Sequence, residues 1–265
     1  MTTSIAAAAH GVLTTAGPTA KVMAARTAAR AWRRGVLAHR FDVPMPRVPA
    51  RPAHPELLPA AEMPRRGRGG SARGRIALLH ALAHIEFVAI DLAFDLIGRF
   101  GASFPRGFVD DWIAVAADEA MHFALLHRRL VSLGSGYGAL PAHDGLWDAA
   151  MATAHDPLAR LAVVPMVLEA RGLDVTPVTI ERLQAAGDGT SARILTRIFN
   201  DEIRHVSAGT RWFESVCREA GHDAPRHWQM LVTQHFRGAI KPPFNDSART
   251  TAGLTRDYYA ELAPV

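Results

Sequence analysis

Cysteine is almost absent from this 265-residue chain, where Cys217 stands alone. One thiol excludes an intramolecular disulfide framework and any zinc or iron–sulfur site built from several cysteines. It also fits a reducing compartment. Lysine is nearly as scarce: only Lys21 and Lys241 occur, so arginine supplies the other 28 of the 30 basic residues. No run of about 18 apolar residues is evident, which speaks against a membrane span. The opening MTTSIAAAAHGVLTTAG has no basic stretch before its mild apolar run, so a secretory signal is not expected. The expected location is cytoplasmic. Strand patterning is nearly missing as well, which leaves an all-helical protein.

The charge that is present is unevenly spread. Residues 1–75 carry 13 basic residues against three acids (Asp42, Glu56, Glu62), while the remaining 190 carry 17 against 22. The sequence pI is near 10.1, yet the body is acidic and only the arm is basic. A basic arm can steer towards an anionic partner such as RNA. The arginine and alanine excess equally reads as a composition bias.

Three regions follow. Residues 1–70 form a basic arm: AARTAARAWRRGVLAHR suits an amphipathic helix, and the proline-rich stretch after it suits an extended segment lying along the body. Residues 71–222 repeat apolar positions at three- and four-residue spacing. They predict long helices over 71–100 and 105–133, then a short helix, a longer one containing Pro165, and a last long helix ending near Gly221. The short stretch VTIERLQAAG is read as a separate segment before that last helix. Residues 223–265 form a helix and tail that cover the rest.

Within this frame DEAMH (118–122) and DEIRH (201–205) repeat one pattern. A Glu and a His three apart share one helix face, so both reach a single ion. Glu119 and His122 lie among Trp112, Val115 and Leu126; Glu202 and His205 lie among Leu195, Ile198 and Trp212. Burying an ionised carboxylate there is costly unless it is paired or bound to metal. Two further lone acids, Glu86 and Glu169, each sit on an apolar face 33 residues before a Glu-x-x-His glutamate. In an antiparallel hairpin that offset sets both members at one level, about 22 Å from the turn. Two such hairpins face to face assemble four Glu and two His into a dinuclear site, the arrangement of ferritin-like four-helix bundles. Carboxylate and imidazole suit iron and manganese.

Other groups have two readings each. Asp118 and Asp201 either orient the ligand imidazoles by accepting their other N–H or pair with arginines such as Arg204. Surface glutamates with salt-bridged histidines would need no metal. His80, His84, Asp91 and Asp95 read as a polar seam or salt bridges, and His127, His143 and His155 need no function. Pro165 either opens its helix near Glu169 or is a neutral kink. Lys241, Asn245 and Arg249 either line a substrate entrance or only pack the tail.

Over about residues 42–258 the chain resembles an uncharacterised bacterial ferritin-like family, a domain of unknown function within the di-iron carboxylate superfamily. The stretches that carry the likeness include LLHALAHIEFVAIDLAFDL, AADEAMHFALLHRRL, LAVVPMVLEARGLDVTP and FNDEIRHVSAGTRWF. The resemblance implies metal ligation by Glu86, Glu119, His122, Glu169, Glu202 and His205. More distantly the chain is similar to MiaE-type tRNA hydroxylases. It has no Cys-x-x-Cys, unlike rubrerythrins with their own rubredoxin domain. None of its tyrosines (Tyr137, Tyr258, Tyr259) falls in a bundle helix near a ligand, unlike tyrosyl-radical subunits.

The expected function is that of an oxygen-dependent non-haem di-iron oxidoreductase, a hydroxylase or monooxygenase. Its cofactor is two iron ions, with manganese or a mixed pair as the alternative. Its partners are dioxygen, an external electron donor and a small-molecule or tRNA-nucleoside substrate, with a homodimer as the candidate assembly. The main alternative is a ferritin-type protein that oxidises, stores or buffers iron or manganese; a third is a helical scaffold with a structural metal.

Overall fold

The computed structural model describes residues 2–64 and 71–263; the regular structure among them is helical, with no strand beyond two isolated bridges. The chain divides into two compact units at Trp147 and Asp148, inside the span 71–222 that the pattern marks as one body.

The first unit is built on a helical hairpin. Helix α3 (Ala72–Phe100) starts where Ser71 Oγ accepts the Gly74 N–H, and α4 (Arg106–Ser132) starts after Pro105. These two pack against each other over their length. By length and mean hydropathy α3 is apolar enough to cross a membrane, although polar residues such as Glu86, Asp91 and Asp95 interrupt it; 67% of its apolar window is buried inside the fold, as for a core helix. Two N-terminal helices, α1 (Ile5–Leu13) and α2 (Pro18–Arg33), pack on α3 and α4 respectively. The proline-rich segment runs without an α-helix and is seated by two glycines. A Cβ on Gly98 would lie 2.2 Å from Met45 Sδ, and one on Gly101 would lie 2.4 Å from the Phe41 ring. The arginine-rich run 65–70 falls outside the described residues.

One buried charge cluster ties these pieces together. Lys21 of α2 and Arg51 of the extended segment both bond Asp91 of α3, and Arg51 reaches Asp144 at 3.2 Å. Lys21 and Asp91 are both fully buried, so the arm is part of the core and not an appendage.

The second unit holds a second long pair. After the short helix α5 (Gly145–Ala152), one rod runs through α6 (Pro157–Val163), a π-helical stretch Val164–Glu169 and α7 (Ala170–Ala185). Its partner α8 (Gly189–Ala220) begins at the Asp188 cap and stops at left-handed Gly221. The expected separate segment after Pro177 does not exist, because Pro177 sits inside α7. A proline removes the N–H that would have bonded the carbonyl four residues back. That carbonyl, Leu173 O, instead accepts from Asn245 Nδ2 at 3.2 Å, so the helix continues. Pro165 falls in the widened π-helical turn, a form that recurs at functional sites, and nearby Ala162 O accepts the Trp228 indole N–H from α9 (Ala224–His235).

Gly209 of α8 lies against Pro165: a Cβ there would come within 2.6 Å of the ring. Gly209→Ala should therefore destabilise the protein by about 1–3 kcal/mol through overpacking. A melting temperature equal to that of the wild type would show that the rod can move aside.

Candidate metal centre

In the first unit the 33-residue offset puts Glu86 of α3 and Glu119 of α4 on the two arms of one hairpin, with His122 one turn beyond Glu119. The His122 Nδ1 lies 3.2 Å from Glu86 Oε2 and 3.5 Å from Glu119 Oε2. All three side chains are buried, and each offers a ligand atom within 4.8 Å of the others. Burial, and next the charge of Glu119, push the Glu86 carboxyl well above its ordinary range, with His122 opposing. Two carboxylates and an imidazole crowded out of water are what a divalent cation would relieve. The donor set is hard oxygen with borderline nitrogen, which fits iron, manganese or zinc better than a soft ion.

In the second unit α8 presents Glu202 and His205, both buried, with Nδ1 to Oε2 at 3.6 Å. Glu169, half-buried, closes the π-helical stretch on the facing rod. Within the first unit Glu86, Glu119 and His122 could together hold a metal ion; Glu169, Glu202 and His205 belong to the second unit.

The remaining sequence candidates resolve differently. Asp201 accepts from Arg197 and Arg204, so it is engaged by arginines. Asp118 is half-buried on α4. Arg249 is buried and forks onto Asp174 at 2.8 and 2.7 Å, its guanidinium over the Phe244 and Tyr259 rings. Asn245 caps the short helix α10 (Asp246–Thr251) and the Lys241 carbonyl accepts from Arg171. Asn245 and Arg249 thus fasten the tail, the packing alternative. The polar seam of α3 is also present: Asp91 is in the charge cluster above, and Asp95 pairs with Arg99.

Tyr137 packs inward without belonging to a helix. It lies in the loop after α4, but its ring folds back to 5.3 Å from Phe87 and 5.0 Å from Phe123, the neighbours of Glu86 and His122 in sequence. Its hydroxyl meets His84 Nδ1 at 2.9 Å, and burial raises its pKa. No periodicity marks a loop tyrosine as an inward one; the only signal was His84, a histidine on a buried helix that needed a partner.

Next to it, His80 accepts the Gly138 N–H (2.9 Å) and the Leu140 N–H (3.4 Å) at Nε2. Burial lowers its pKa from 6.5 to about 4. An unfolded chain therefore binds one more proton than the folded one between those values, and stability is lost as pH falls from about 6.5 towards 4. His80→Gln, which keeps an acceptor, should flatten the denaturation free energy over this pH window by close to one proton; an unchanged slope would refute the assignment.

A family model described as Protein of unknown function (DUF455) matches residues 14–260. An uncharacterized protein of Haemophilus influenzae is 40% identical over 220 residues, spanning 81% of this chain and 76% of that protein. No solved structure matches.

Proposed function

The chain belongs to the DUF455 family, and since that membership carries no reaction, we propose one from the buried donors: an oxygen-dependent oxidoreductase, a hydroxylase, with a ferritin-like dinuclear iron or manganese centre. Glu86, Glu119 and His122 would supply one half of the donors, and Glu169, Glu202 and His205 the other. The observation that carries this reading is the Glu86–Glu119–His122 cluster, three potential ligands buried within 4.8 Å of one another. A centre of this kind would supply four-electron reduction of dioxygen, two electrons coming from an external donor and two from a substrate C–H bond, so that one oxygen atom enters the substrate and the other leaves as water.

The chain's own part is positional. The α3–α4 hairpin holds its two carboxylates at one level, and the apolar residues around them, Phe87, Ala116 and Phe123 among them, exclude water. The Glu169 carboxylate stands at the end of a π-helical turn, where the backbone is wider and its register adjustable. An external donor supplies electrons, and a small molecule or a tRNA nucleoside supplies the C–H bond.

Elemental analysis of protein purified without added metal should find about two iron, or one iron and one manganese, per chain. No stoichiometric metal, even after anaerobic loading with ferrous iron, would end this reading. Light scattering separates the storage alternative, which requires a large hollow assembly. Identical modified-nucleoside profiles in cells with and without the gene would remove tRNA as the substrate.

A further inference from the structure

Away from these donors, the first unit has a cavity of about 520 Å³ at the start of α3, within the size range of small-molecule sites. Its walls are mainly apolar, with Ile76, Ala77, Leu140 and Pro141 among them, and its polar groups lie at two places along α3.

The first is the helix start. The opening turn of α3 contains no acid, and Arg73 is exposed and makes no ion pair among the described residues. Ser71 Oγ is already committed to the Gly74 N–H. A 29-residue helix presents unpaired N–H groups and the positive end of its dipole here, and the arginine adds a full charge.

The second is His80, 1% exposed and part of the cavity wall. Its Nε2 accepts two backbone N–H groups, so the ring proton resides on Nδ1. That N–H has no hydrogen-bond partner among the described residues and is a donor left over at this second place. Residues 73 and 80 are seven apart, about 10 Å along the axis.

We infer that this cavity binds a monocarboxylic acid with an apolar body and a hydroxyl or carbonyl oxygen about 10 Å from the carboxylate. The carboxylate sits with Arg73 and the helix start, the apolar chain lies between Ala77 and Leu140, and the distal oxygen accepts from His80 Nδ1. This assignment uses no metal donor and stands whether or not the oxidoreductase reading holds.

The test is calorimetric titration of the full chain with three probes: 8-hydroxyoctanoate, octanoate and 1,8-octanediol. The hydroxy acid should saturate a single site and bind at least several-fold more tightly than either probe that lacks one polar end. Ala77→Trp, which fills the cavity, should weaken it tenfold or more. Arg73→Glu, at an exposed position that leaves the fold intact, should weaken both acids about tenfold and leave the diol unchanged. Circular dichroism checks that each variant is folded, and if the tryptophan variant is not, Arg73→Glu still decides. Absence of saturable binding, or equal binding to wild type and Arg73→Glu, overturns the proposal. Equal affinity for octanoate and 8-hydroxyoctanoate overturns the role given to His80.

Discussion

Replacing Asp91 by alanine is expected to destabilise the protein by about 3–5 kcal/mol, the range for removing one partner of a buried pair. Among the described residues Asp91 is the only carboxylate that bonds Lys21, and both are fully buried. Burial already drives the Lys21 pKa down from 10.5, with Asp91 as the main opposing influence. Without Asp91 the ammonium has no compensation, and Lys21 must give up its proton to remain inside. The unfolded chain then holds more protons than the folded one at every pH between the depressed value and 10.5, so stability of the variant should climb with pH across that window. Chemical denaturation of both proteins at several pH values measures this: the deficit should shrink as pH rises. A double variant, Lys21→Met with Asp91→Leu, removes both charges and should recover much of the loss. A deficit below 1 kcal/mol at neutral pH would mean that water reaches the pair.

This cluster marks a limit on what the chain discloses before it is folded. The long helices are legible because apolar residues recur at helical spacing and glycine or proline stands at their ends. The Glu86, Glu119 and His122 grouping is legible because a 33-residue offset in a hairpin is a geometric statement. Lys21 is different. A lone lysine between alanines in a basic stretch looks solvated, and only the packing of α2 shows that it faces Asp91, 70 residues away. Tyr137 was hidden for the same reason, since its inward turn depends on a loop with no periodicity. Pro177 misled in the opposite direction. The rule that proline ends a helix assumes that the freed carbonyl finds no other donor, and here Asn245 of the tail provides one. Local rules fail where a distant segment supplies the missing partner.

The sign of the stability change on replacing Glu86 separates a metal site from an internal salt bridge. Were Glu86 simply the partner of a protonated His122, Glu86→Gln would weaken the folded state. Were the cluster built for a cation, the metal-free protein would carry two crowded carboxylates, and neutralising one would help it. The high Glu86 pKa, caused first by burial and next by Glu119, favours the second case. Glu86→Gln should therefore raise the stability of the metal-free protein by on the order of 1 kcal/mol, about 2–4 °C in Tm for a chain of this size class. Its response to metal should fail in the opposite direction. Wild-type protein gains about 2.7 kcal/mol at a ferrous or manganous concentration one hundred times its Kd, whereas the variant, with an amide where a charged ligand is needed, should gain almost nothing at the same concentration. Thermal melts of both proteins, stripped with chelator and then loaded anaerobically, give four values. A crossing, with the variant ahead when stripped and behind when loaded, requires that the cluster bind the ion through Glu86. If the variant melts below wild type when stripped and both respond alike to metal, the three side chains are a structural pair with a neighbour, and the chemistry must be sought elsewhere in the fold.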